Sequence, residues 1–137
     1  MPKYSPRSSE RLATCHLLLQ QIFNEAIRHY DCSVLCGHRG EVEQMIAYQE
    51  GKSKLAWPNS KHNELPSLAV DVVPYPIIWP GANKKDLARF YYFGGFVLGL
   101  AQAMEIPLRW GGDWDGDRDI HEQSFDDLPH FEILDPA

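Results

Sequence analysis

The chain has 137 residues, 44% of them hydrophobic, which suits one domain with a sizeable core. Its formal net charge is −6 and its basic residues are scattered, so neither nucleic acid nor an anionic membrane surface is an expected partner. The start, MPKYSPRSSE, lacks the apolar stretch of a secretory signal, and no run approaches the roughly 18 apolar residues of a membrane span. Synthesis in the cytoplasm without membrane anchoring is therefore expected. Cys15, Cys32 and Cys36 make an odd count with no C-x-x-C pair, which fits reduced thiols better than a disulfide framework.

The whole of 1–137 reads as a single domain, with 1–8 a loosely ordered N-terminus. Leu12, Cys15, Leu19, Ile22, Phe23, Ala26, Ile27 and Tyr30 recur at helical spacing, predicting a helix over 9–30 with Ser8 or Ser9 at its cap. CSVLC (32–36) fits a buried strand, GHRG turns the chain, and a second helix runs over 41–50 to Gly51. Residues 52–67 have loop composition. LAVDVV is a strand stopped by the prolines of PYPIIWPG, because proline cannot donate to a sheet ladder. A third helix over 83–104 carries Leu87, Phe90, Tyr91, Val97, Leu98, Ala101 and Met104, with Gly94, Gly95 and Gly99 permitting close approach of another element. PLRW and PHFEIL read as strands on either side of an acidic loop. The order predicts an α+β fold: a small, largely antiparallel sheet packed against about three helices.

Asp71 is the first chemical anomaly. A carboxylate inside LAVDVV is costly to bury alone, so a cation is expected against it, whether a metal, a histidine or an arginine. His62, Asp71 and His130 could supply the three nitrogen and oxygen ligands of a catalytic zinc at the sheet, leaving one position open. Their separations in sequence do not decide this, and a lone histidine such as His62 is more often a satisfied or surface residue. Trp110, Trp114 and Tyr92 are equally open, as core or cleft residues.

Three ordered segments change the weighting: GHRGEVEQ, the SKH and AVD of SKHNELPSLAVD, and DLPHFE. Together they resemble the zinc peptidases related to D-alanyl-D-alanine carboxypeptidases, especially phage endolysins that cleave L-alanyl-D-glutamate bonds. The likeness spans about 30–134. It implies zinc held by His62, Asp71 and His130, with Asp127 as catalytic acid or base and Arg39 stabilising the substrate carbonyl. Asp126 competes with Asp127, but the D-x-x-H register favours Asp127. His62 and Asp71 are separated by NELPSLAV, two residues longer than the family's S-x-H-x-x-G-x-A-x-D and without its glycine. Leu65-Pro66 is expected to make the turn, and the cleft wall is expected to differ there.

The implied activity is hydrolysis of the peptidoglycan stem peptide by a monomer that reaches the wall through a holin-opened membrane. The rivals are a D-alanyl-D-alanine carboxypeptidase or dipeptidase, a non-catalytic wall-binding module, and a non-haem iron oxygenase, whose usual H-x-D spacing is missing. Gln44 and the remaining histidines, His16, His29, His38 and His121, read as solvated or structural. The alternation Asp113, Asp115, Asp117, Asp119 matches a calcium loop in part, since its sixth position is Arg118 rather than glycine and its twelfth is Ser124. A solvated loop is the expected state.

Overall fold

The structure, a computed structural model, describes residues 2–122 and 126–134. Ser124, and with it the end of the calcium-like pattern, lies outside them. Among the described residues there are four α-helices and four strands: α1 Pro6–Leu12, α2 Leu17–Ala26, β1 Cys32–Cys36, α3 Glu41–Gln49, β2 Ala69–Pro74, α4 Lys84–Ala103, β3 Leu108–Gly111 and β4 Asp127–Ile133. Short 3-10 turns cover Lys61–Asn63 and Ile120–Glu122. The strands form one sheet in the order β1-β2-β4-β3, every neighbour antiparallel. The expected α+β class with an antiparallel sheet is borne out.

The N-terminal third departs from expectation in two ways. The helix predicted over 9–30 is split, because Cys15 pairs with Ser67 as a β-bridge, His16 N donating to Ser67 O (2.8 Å) and Ser67 N to Thr14 O (2.9 Å). Those bonds to a distant loop outcompete helical continuation at 13–16, and the His16 imidazole then caps α2 by accepting from Leu18 N. Residues 1–8, expected to be loose, contain the start of α1. Ser5 caps it, Pro6 sits in its first turn, and Ser8 is buried, where its hydroxyl accepts from Val34 N (3.0 Å). Tyr4 adds a hydrogen bond to the Phe23 carbonyl (2.7 Å).

Strand alternation sorts β2 and β4 into two faces. Val70, Val72, Phe131 and Ile133 point into the core with Leu19, Ile22, Phe23, Phe93 and Val97 from α2 and α4. The Phe131 ring meets Phe23 edge-on at 5.4 Å and lies parallel to Trp110 at 6.5 Å, which settles Trp110 as core. The intervening residues, Asp71, His130 and Glu132, face the other side. Asp71 pairs directly with His130 and Ala69 with Glu132, so the sheet register alone puts a carboxylate and an imidazole side by side.

Of the three α4 glycines expected to permit close approach, only Gly94 does so. A Cβ there would overlap the Trp110 ring, whereas Gly95 and Gly99 face open space. Gly94→Ala should destabilise the fold by about 1–3 kcal/mol through overpacking, less the roughly 1 kcal/mol alanine gains in helix propensity. Gly95→Ala keeps the gain without the clash. Urea unfolding should therefore move the two midpoints in opposite directions; a stabilised Gly94→Ala would refute the packing reading.

Candidate metal centre

His62 reaches the sheet from a braced turn. Ser60 accepts from His62 N (3.2 Å), Asn63 Oδ1 accepts from Ser60 N (3.0 Å), and Arg39 N donates to the His62 carbonyl (2.8 Å). The ring is almost fully buried, and its Nδ1 lies 2.7 Å from the Gly37 carbonyl. A carbonyl only accepts, so Nδ1 carries a proton and Nε2 is the nitrogen turned toward Asp71, at 3.2 Å from Oδ1. His130 Nδ1 lies 3.4 Å from the same oxygen, and Arg39 donates to the other, Oδ2, at 3.5 Å. Asp71 thus meets all three kinds of partner that its burial could demand: two histidines, an arginine, and a position for a metal.

His62, Asp71 and His130 form a group that could hold a metal ion, with ligand atoms all within 4.8 Å of one another. A tetrahedral ion with bonds of about 2.0–2.1 Å keeps its ligand atoms roughly 3.3–3.4 Å apart. The 3.2 and 3.4 Å separations from Asp71 Oδ1 match that spacing. Two imidazoles and one carboxylate also match a catalytic rather than a structural donor set, because one position stays open.

The electrostatics agree. Burial by itself would lower the His62 pKa, but the charge and hydrogen bond of Asp71 outweigh it and hold it up at about 10. Burial would likewise raise Asp71, yet His62 and His130 pull it below the ordinary carboxylate range. In the metal-free protein an imidazolium proton supplies the cation that Asp71 needs. A metal ion competes with that proton for the same nitrogen.

Asp127 stands beside the group, its Oδ2 3.9 Å from His130 Nδ1. Burial, then the charge of Asp71, push it up to about 6 against the pull of His130, His62 and Arg39. A carboxyl at that height can both accept and return a proton near neutral pH. Asp126 is more exposed than Asp127. Both carboxylates, with Arg39, Lys61, Trp79 and Trp114, line a cleft of about 770 Å³ onto which the group opens.

A family model described as phage L-alanyl-D-glutamate peptidase matches residues 1–134. The chain belongs to that family. The L-alanyl-D-glutamate peptidase of Escherichia phage T5 is 28% identical over 123 residues, covering 88% of each chain. A crystal structure of a Serratia marcescens L-Ala D-Glu endopeptidase is similar with a TM-score of 0.66 and 27% identity, covering 96% of this chain and 90% of that one.

In this L-alanyl-D-glutamate peptidase family member, two buried residues that sequence reasoning passed over hold the site in shape. Gln44, expected in solvent, is fully buried: its Oε1 accepts from Arg39 (3.0 Å) and Asn63 (3.1 Å), and its Nε2 donates to Ser53 Oγ and the Leu55 carbonyl. Glu132, buried in β4, lies 2.8 Å from His130 Nε2 and pairs with Arg109 and Lys61. The alternation of DLPHFEI places Glu132 on the face of His130, its neighbour along β4, while Arg109 comes from β3 and Lys61 from the 3-10 turn. Trp114 packs on His130 with ring centroids 5.4 Å apart, while Tyr92 is exposed.

The long loop behaves differently from expectation. Residues 64–67 turn away from the cleft: the Glu64 carbonyl bonds the His38 ring (3.0 Å), Ser67 pairs with 14–16, and none of 63–68 lines the cavity. Its walls come instead from 51–55 and 59–62. His29 and His121 lie against Glu25 and Asp119, outside the cleft.

Proposed function

We propose that the protein is a zinc-dependent peptidase that hydrolyses the L-alanyl-D-glutamate bond of the peptidoglycan stem peptide. The observation that carries this is the His62–Asp71–His130 group opening, beside Asp127, onto the cleft of a chain that matches the family over 1–134. A zinc ion held by those three side chains supplies Lewis-acid chemistry, acidifying water and polarising the scissile carbonyl. Asp127 takes a proton from the attacking water as its oxygen bonds the carbonyl carbon. It returns that proton to the D-glutamate nitrogen as the C–N bond breaks, leaving a free carboxylate on alanine and a free amine on glutamate. Arg39, held by Gln44, presents its guanidinium to the carbonyl oxygen as negative charge develops there. Mass spectrometry of digested muropeptides tests the reading.

In this account the enzyme is a monomer made in the host cytoplasm that reaches the wall through a holin-opened membrane. No helix among the described residues is long and apolar enough to cross a membrane.

The acidic loop adds a second cation to the reading, calcium. Asp113, Asp115 and Asp117 each bring a carboxylate oxygen within 4.8 Å of the others, and Asp113 is buried with no hydrogen-bond partner for its Oδ1. An orphaned buried carboxylate oxygen costs about 1–3 kcal/mol, which a hard cation would offset. Asp119 is turned to His121 instead. Arg118, standing where calcium loops have glycine, adopts φ 68° all the same. Calcium at 100 times its Kd should add about 2.7 kcal/mol of stability, and Asp113→Ala should abolish the effect. An unchanged melting temperature in calcium would remove the second cation from the account.

A further inference from the structure

We propose that Glu132 is a positioning residue whose charge sets the tautomer of His130 and thereby leaves Nδ1 free as a metal ligand. The inference rests on the metal reading above. His130 Nε2 lies 2.8 Å from Glu132 Oε1, both side chains more than nine-tenths buried. A carboxylate can only accept, so Nε2 donates and carries the ring proton. Once a metal ion takes the place of the second proton that Asp71 Oδ1 at 3.4 Å and Asp127 Oδ2 at 3.9 Å draw to the ring, the lone pair is on Nδ1. His62 receives the same instruction from the Gly37 carbonyl, which no side-chain substitution removes. For His130 the instruction depends on one side chain.

The other oxygen of Glu132 makes the dependence testable. Oε2 accepts from Arg109 NH2 (2.7 Å) and Nε (3.2 Å), and Lys61 Nζ lies 3.2 Å away. Arginine and lysine donate only. In Glu132→Gln these two cations claim the amide oxygen, because the opposite orientation would set both against an NH2 group. The amide NH2 must then face His130 Nε2, which has to accept. The ring proton moves to Nδ1, where the lone pair is needed. An isosteric substitution therefore reverses the tautomer, as amide-for-carboxylate exchange beside an imidazole does in a catalytic triad. Glu132→Ala leaves a space that imposes neither tautomer, so it is the milder change.

Zinc affinity, measured on the full chain by titration against a chromophoric chelator, should fall about 10–100-fold in Glu132→Gln and less in Glu132→Ala. Long-range proton–nitrogen correlation spectra of the metal-free proteins, in buffer alkaline enough to leave the ring a single proton, should find the His130 proton on Nε2 in the parent and on Nδ1 in Glu132→Gln. Adding Arg109→Gln, which can accept from the amide NH2 and let its oxygen turn to His130, should recover part of the loss. A merely structural role predicts the reverse order, with alanine worse than glutamine. Parental affinity in Glu132→Gln with Nε2 still protonated, or alanine proving the more damaging, overturns the proposal. Parental zinc binding in His130→Ala overturns the metal reading itself, whatever Glu132 does.

Discussion

Asp127→Ala is expected to keep a full complement of metal and lose about 10²–10⁴-fold in turnover, the range of a positioned acid or base. The two halves of that result have separate origins. Metal retention follows because Asp127 stands 3.9 Å from His130 Nδ1 and is not one of the three side chains whose ligand atoms cluster. Loss of turnover follows because, among the described residues, the other two carboxylates against His130 are engaged: Asp71 with His62, His130 and Arg39, and Glu132 with His130, Arg109 and Lys61. Asp126→Ala is the control, and its turnover should stay within a few-fold of the parent. Metal analysis alongside initial rates on purified peptidoglycan checks both variants. The assignment is wrong if Asp126→Ala shows the larger loss, or if Asp127→Ala releases the metal.

Arg39→Ala should cost about 10²–10³ in kcat, the usual effect of removing one preorganised donor from a developing oxyanion. The guanidinium is largely buried and held from two sides, NH1 on Gln44 at 3.0 Å and NH2 on Asp71 at 3.5 Å. Arg39→Lys should rescue little, since a single ammonium cannot span both partners. Gln44→Ala tests the support from behind. It should lower kcat by less than Arg39→Ala and soften the fold, because Asn63 and Arg39 both lose an acceptor. If zinc content falls in step with turnover in Arg39→Ala, the residue braces Asp71 and does not act on substrate.

Elements governed by local periodicity were legible in the sequence. Helix α4 lies where its 3.6-residue pattern predicts, entered at the Asn83 cap, and β2 and β4 show the expected stretches. Sequence spacing could not join His62, Asp71 and His130; only the ordered resemblance did, and the antiparallel Asp71–His130 register supplies the physical reason that it works. The break at 13–16 was invisible because its cause, Ser67, lies fifty residues on. Gln44 misled for a different reason: α3 is inverted, with Val42, Ile46 and Tyr48 exposed and the amide inside. Reading apolar residues as the buried face fails there, because the inner face carries the Gln44 amide, bonded to Arg39 and Asn63, beside the small Ala47. The acidic loop is solvated at Asp115 and Asp117, as expected, but Asp113 is buried, which no alternation of aspartates could reveal.

A metal-dependent cut between L-alanine and D-glutamate can be read by digesting purified peptidoglycan and identifying the muropeptide products by mass spectrometry, with and without chelator. Products ending in L-alanine should appear together with peptides carrying a new D-glutamate amine. These should vanish in chelator and return when zinc is restored. Release of terminal D-alanine in their place, or cleavage that persists undiminished in chelator, would contradict it.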